Sequence, residues 1–296
     1  MAKLIMVQGT ASGAGKTVLA TALCRIFTQD GYRTAPFKSQ NMTTVCHMTA
    51  DGRKMARSQA IAAYACNIEP CPDMNPVLLM MGSGGGASAA GTEVIINGGS
   101  LGIMGRQDFI EYKQEAFGQV LAAFGRLSES YDVIVIEGAG SPVELNLNKD
   151  DIVNMGLAKA VNAPVLLVSD ISRGGVFASF YGTVALLPED EKRFVKGLVV
   201  NKFKGSLDFF SDGAGILEKL CGVPVIGVIP YTGIQLEDED SLADGDMKTK
   251  ESLTKALGDA DYNTYMQSEF DRLAAHFRKN LDMAMLYGIL GASDKR

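Results

Sequence analysis

With 296 residues and 47% hydrophobic side chains, the chain has enough material for one large α/β domain or two small ones. Its 28 Lys and Arg against 34 Asp and Glu give a formal charge of −6 with no basic stripe, which argues against nucleic-acid or anionic-membrane binding. No apolar run is long enough to span a bilayer, and the N-terminus lacks a basic, apolar, small-residue signal, so the sequence reads as cytoplasmic. Its five cysteines include no Cys-x-x-Cys pair, and Cys46-His47 with Cys66 and Cys71 reads as scattered reduced thiols rather than a metal site. With His276 as the other histidine, a His-based triad has little to work with.

The first element is an apolar run, Leu4-Ile5-Met6-Val7, followed by Gly9-Thr10-Ala11-Ser12-Gly13-Ala14-Gly15-Lys16-Thr17 and then Val18 to Phe27. That order is a buried strand, a glycine-rich turn and a helix. Glycines let the backbone approach a phosphate, and the helix start aims free N–H groups and a positive dipole end at it. Lys16 is placed for the outer phosphates and Thr17 for Mg²⁺, which makes ATP and Mg²⁺ the expected cofactors. Thr10, Gly13, Ala14, Gly15 and Val18 are further candidate nucleotide contacts. The common phosphate-loop pattern has four residues between its outer glycines. Here there are five, Thr10 to Ala14, the longer form found in dethiobiotin synthetase-like ATPases.

Thr34-Ala35-Pro36-Phe37 reads as a second strand, ending at Lys38-Ser39-Gln40-Asn41. A lysine just past a strand's carboxyl end sits where open parallel sheets place ligands, so Lys38 is a candidate phosphate or transition-state contact. Asp51-Gly52 marks a turn, and a helix is expected at about 54–66. The stretch from Gly82 to Gly91 is low in complexity and suits either a lid over a substrate or a loose surface loop. A short strand is expected at Glu93–Asn97 and a long helix from Phe109 to about Ser128. Next comes Tyr131-Asp132-Val133-Ile134-Val135-Ile136-Glu137-Gly138-Ala139-Gly140, a buried parallel strand with an acid at its exit. Glu137 there is placed as a Mg²⁺ ligand facing the phosphate loop.

Strand-like runs at 164–168, 197–201 and 224–230 alternate with helical patterns at about 152–161, 176–187 and 209–221. Repeated alternation predicts an α/β fold, a doubly wound and mostly parallel sheet of the P-loop NTPase kind, with its site along the strand ends. Asn201 and Pro230 end two of the strands; an amide there can read an adenine edge, and a proline offers a carbonyl without a competing donor. Past Tyr231 the texture changes. Residues 1–236 read as the nucleotide-binding domain, 237–261 as an acidic linker and 262–296 as an amphipathic helical tail. The tail's apolar face suits docking on the main domain or a dimer contact.

Several strings go beyond a generic phosphate-binding fold. The run from Glu137 to Leu147, together with Asp151-Ile152-Val153-Asn154-Met155-Gly156 and Asp170-Ile171-Ser172-Arg173-Gly174-Gly175, closely resembles the cobyric acid synthase family. Asn201-Lys202-Phe203-Lys204-Gly205 and the run from Gly222 to Tyr231 extend the likeness, which covers about residues 3–242. The resemblance implies an ATP- and glutamine-dependent amide synthase of corrinoid carboxylates. It implies Lys16 and Lys38 at the phosphates, Thr17 and Glu137 at Mg²⁺ with Asp51 a further candidate, and adenine contacts near Asn201 and Pro230. Corrinoid or dimer contacts are implied around Gln40, Asn41, Gly140, Ser141, Asp170 and Arg173.

Four departures stand against that pattern. Ser39 replaces a proline, Lys54 replaces a carboxylate, and Met80-Met81 replaces a Lys-Pro pair. No Gly-x-Cys-x-Gly nucleophile elbow of a glutaminase domain is present, although Phe270–Ala274 and Asn280–Met283 resemble the family's extreme C-terminus. The expected partners are therefore a corrinoid, free ammonia or a glutaminase in trans, and a second copy in a homodimer. Two other functions remain in view: amidation or carboxylation of a different acid, and a non-catalytic switch that dimerises with ATP.

Overall fold

The computed structural model describes residues 1–82, 91–146, 151–233 and 261–293. Its central sheet is built around β1 (Lys3–Gly9), flanked by β9 (Val133–Glu137) on one side and β10 (Val165–Asp170) on the other. Beyond β9 lies β2 (Thr34–Phe37), and beyond β10 lie β11 (Val195–Phe203) and β12 (Val225–Pro230). All five pairings are parallel, giving the order β12-β11-β10-β1-β9-β2. Such a sheet must be covered on both faces, and the alternation of side chains along each strand shows how.

Met6, Ile134, Ile136 and Leu167 point to one core, which they share with α3 (Arg106–Ser130), α4 (Met155–Val161), α5 (Val176–Leu186) and α7 (Ser211–Cys221). A one-turn helix, α6 (Glu189–Lys192), precedes β11. Ile5, Val7, Val135 and Val168 point to the opposite core, shared with α1 (Lys16–Gln29). The same core takes in α8 (Tyr262–Asn280) and α9 (Met283–Leu290) through Leu273, Phe277, Leu286 and Tyr287. The tail is thus two helices rather than one. The chain breaks at Leu281-Asp282, where the Asp282 N–H donates to the Ile226 carbonyl at 2.7 Å and the Asp282 carboxylate caps α9.

Between β2 and α3 the chain departs from simple alternation. β3 (Gln40–Thr43), β6 (Val77–Met80), β7 (Thr92–Ile96) and β8 (Gly99–Met104) form a second, mixed sheet in that order. β4 (Cys46–Met48) and β5 (Lys54–Ala56) make a small antiparallel hairpin. The helix expected from residue 54 consequently begins later, as α2 (Arg57–Ala65), because Lys54–Ala56 is drawn into that hairpin. Asn75 fastens the insertion to the main sheet. Its amide donates to the carbonyls of Lys38 and Val77 at 3.0 and 3.1 Å and accepts from the Ala56 N–H at 2.9 Å. Most of the glycine-rich stretch (83–90) and of the acidic linker (237–260) falls outside the described residues.

Candidate functional site

β1 ends at Gly9, and the chain crosses the carboxyl edge of the sheet before entering α1. Two contacts to β10 hold that crossing: the Thr10 N–H donates to the Val168 carbonyl at 3.0 Å, and the Thr10 and Ser169 hydroxyls pair at 2.8 Å. Gly15 takes φ +97°, a left-handed conformation that favours glycine. A Cβ at Gly15 would also stand 2.1 Å from Nδ2 of Asn201, so the position has no room for a side chain. The end of β11 clamps the loop from beneath. Asn201 Nδ2 donates to the Ala14 carbonyl at 3.0 Å, and Lys202 Nζ donates to the Gly13 carbonyl at 2.7 Å. Lys202 itself has φ +58° and reaches Asp170 at 3.0 Å. Burial raises the Asp170 carboxyl, but hydrogen bonds from Ser172 and Lys202 outweigh it and hold the group below the usual carboxylate range.

Three parts of the chain meet beside the start of α1. Glu137, 2% exposed at the exit of β9, accepts from the Thr17 hydroxyl at 2.8 Å and from Lys38 Nζ at 3.0 Å, both on Oε1. Its other oxygen accepts from Gln59 Nε2 of α2 at 3.3 Å. Lys16 lies across the loop, its ammonium donating to the carbonyls of Ala11 at 3.1 Å and Gly140 at 3.0 Å. Asn154 holds the Gly138–Ser141 turn in place by donating to the Ala139 carbonyl at 2.6 Å and accepting from the Ala139 N–H. Ser141 is fixed from the other side, its N–H donating to Glu144 Oε1 at 2.9 Å.

Lys16, Thr17, Lys38, Glu137 and Gly140 therefore converge, while Gly13, Ala14, Asp170 and Asn201 secure the loop from the β10–β11 side. The other expected residues stand differently. Asp51 is engaged within its own hairpin by Arg53 and then Thr49, which hold its carboxyl at about 2. It is no part of the contacts around Glu137. Asn201 was expected to face a base; its amide is instead engaged with the loop backbone, and its Oδ1 accepts from the Lys202 N–H. The Pro230 carbonyl accepts from the His276 ring at 2.9 Å, so the acceptor expected to be open to an adenine is engaged by a helix of the tail. Val18 packs against the α1 core, Asn41 bonds within the insertion through Ser58, and Arg173 is exposed in the turn before α5.

Gln40 keeps a buried Oε1 with no partner. All five cysteines are free thiols, and burial followed by the neighbouring Cys66 pushes the Cys24 thiol well up, which leaves it inert. Sequence reasoning missed Gln59, Lys202 and Asn154. Lys202 and Asn154 lie in strings already noted, but nothing in a string shows a positive φ or a side chain turned onto a loop.

The description CobQ/CobB/MinD/ParA nucleotide binding domain matches residues 5–240. The chain belongs to this family. Its curated relatives include the cobyric acid synthase of Lachnoclostridium phytofermentans, 48% identical over 248 residues, or 82% of this chain and 47% of that protein. The cobyric acid synthases of Ruminiclostridium cellulolyticum and Streptococcus sanguinis are 50% and 47% identical, each over 82% of this chain and 46% and 48% of their own lengths. The chain spans about half the length of the curated relatives it matches. Among solved structures, the septum site-determining protein MinD of Pyrococcus horikoshii complexed with Mg-ADP is 14% identical, with a TM-score of 0.44 over 98% of this chain and 99% of that one. The signal recognition particle receptor FtsY of Elizabethkingia anophelis with GDP gives 20% and 0.45, over 91% of this chain and 64% of its own. Both are distant likenesses. The nucleotide-binding family and the parallel α/β sheet agree with the site as built from its residues.

Proposed function

We propose that the chain is an ATP-dependent synthetase that amidates carboxylates of a corrinoid. The observation that carries this reading is the meeting of Thr17, Lys38 and Glu137 beside a phosphate loop, in a chain whose relatives at 47–50% identity are cobyric acid synthases. The Thr17 hydroxyl and the Glu137 carboxylate are hard oxygens 2.8 Å apart, a donor pair that suits Mg²⁺. Among the described residues no group of three or more His, Cys, Asp or Glu is placed to hold a metal. A cation with few protein ligands, completed by phosphate oxygens and water, fits that sparse set. When bound, Mg²⁺ neutralises phosphate charge.

In this reading the loop N–H groups and Lys16 hold the β- and γ-phosphates, and Lys38 balances charge on the transferring group. A carboxylate oxygen of the substrate attacks the γ-phosphorus, and the bond to ADP breaks. Ammonia then attacks the acyl carbon, phosphate leaves, and the nitrogen loses a proton to give the amide. The protein's part is alignment and charge balance. Ammonia comes from solution or from a glutaminase acting in trans, and a homodimer places Gln40, Asn41, Ser141 and Arg173 toward the substrate.

One observation favours a second reading. Lys54, where the cobyric acid synthase pattern has a carboxylate, pairs with Glu93 at 2.9 Å, so this part of the insertion is rebuilt and a different carboxylic acid becomes the alternative substrate. ADP release with cobyrinic acid a,c-diamide and ammonium separates the two. Turnover stimulated by that diamide supports the corrinoid; stimulation by other acids alone supports the alternative. No stimulation by any carboxylate overturns both.

A further inference from the structure

Glu137 is held on both oxygens, but one of its partners is only half used. Gln59 is 1% exposed, donates Nε2 to Glu137 Oε2 at 3.3 Å, and leaves Oε1 buried with no hydrogen-bond partner. Turning the amide over would set its oxygen against the carboxylate, so the orientation is fixed by charge. Ser39, next in sequence to Lys38, likewise has a fully buried hydroxyl without a partner. Buried polar atoms are normally paired, and an acceptor left open beside a charged cluster indicates a donor that belongs there. Gln59 Oε1 is an acceptor only, so the missing group must donate, and neither a phosphate nor a substrate carboxylate does.

We propose that Gln59 is a positioning residue for the divalent cation: its Oε1 accepts a hydrogen bond from a water on the cation held by Thr17 and Glu137, while its Nε2 fixes the Glu137 carboxylate. The inference rests on the nucleotide–metal reading above. It gives the insertion between β2 and α3 a specific task, because α2 delivers Gln59 to a site otherwise built by the main sheet. Mg²⁺ retains several of its waters in such sites, and groups that hold those waters tune affinity nearly as strongly as direct ligands.

The test is a Mn²⁺ titration followed by electron paramagnetic resonance, with a non-hydrolysable ATP analogue, alongside analogue affinity in EDTA. Gln59→Leu removes both polar atoms and is expected to weaken Mn²⁺ binding about 10–100-fold with metal-free nucleotide affinity unchanged. If Gln59→Leu does not fold, Gln59→Met takes its place. Equal Mn²⁺ affinity in the parent and the apolar variant overturns the proposal. So does metal-free nucleotide affinity falling in parallel with metal affinity. Failure of the parent itself to take up Mn²⁺ with the analogue overturns the nucleotide reading first.

Discussion

Two buried ion pairs sit on the same side of the sheet and differ in how completely they are satisfied. Under the tail, Asp30 at the end of α1 accepts from Arg278 of α8 at 2.8 Å on one oxygen and from the Tyr287 hydroxyl of α9 on the other. Nearby, Arg25 reaches Asp271 at 2.7 Å, and the Phe27 and Tyr287 rings meet edge to face with centroids 5.9 Å apart. Each acid is matched to its donors within the fold. At the site, Lys38 and Glu137 are as deeply buried, yet Gln59, bonded to Glu137, leaves its Oε1 with no partner. The first network fastens helices. The second leaves a buried acceptor open next to its ion pair, and that difference is what the proposal about Gln59 uses.

The largest expected effect falls at the site. Lys16→Ala is expected to cut ATP turnover roughly 10²–10³-fold, read by ADP release, because one preorganised charge at the phosphates is lost. The loss is read against the parent at equal protein concentration, with the Lys16 ammonium's bonds to the Ala11 and Gly140 carbonyls also removed. Under the tail the pattern should invert. Asp30→Asn is expected to cost about 3–5 kcal/mol in urea unfolding, toward the lower end because Arg278 retains some solvent, with nucleotide affinity unchanged. Loss of nucleotide affinity in Asp30→Asn would erase the contrast between the two networks.

A double-mutant cycle sharpens it. Glu137→Gln and Lys38→Met each strand a buried partner and are expected to cost about 3 kcal/mol, while the two together cost less than their sum. The smallest effect concerns Asp170. Its folded value lies below the usual one, so its contribution to stability is present above the unfolded carboxylate value of about 3.9 and is lost as pH falls through the lower folded value. The midpoint difference between the parent and Asp170→Asn should therefore shrink on acidification below about pH 4 and stay level above it. A difference independent of pH would mean that Lys202 holds the loop without its acid.

The main sheet was legible because its strands are continuous apolar runs and its helices end on clear turn signals. Glu137, Lys38 and the phosphate loop followed from strand ends alone. The mixed sheet was legible only at β7, expected at Glu93–Asn97, since β3 and β6 are four residues long and read as loop in any periodicity. The helix expected at Lys54 shows the same limit: a local pattern favoured α structure, and pairing with β4 claimed its first turn. Pro230 ends β12 as expected, whereas β11 runs on past Asn201 to Phe203, and the polar atoms of both residues meet Ala14 and His276, contacts set by tertiary packing that no spacing reveals. Gln59 lay inside an alanine-rich helix with nothing to mark it, and only its buried, half-paired amide gives it away.

The proposed chemistry requires a triphosphate held at the Gly9–Thr17 loop with a cation between Thr17 and Glu137. Calorimetric titration of ATP with Mg²⁺ and again in EDTA, on the parent and on Thr17→Ala, tests it most directly. The expected result is ATP binding to the parent that Mg²⁺ strengthens at least about tenfold, an increment absent from Thr17→Ala. ATP binding of equal strength in both media, or none at all, would contradict it.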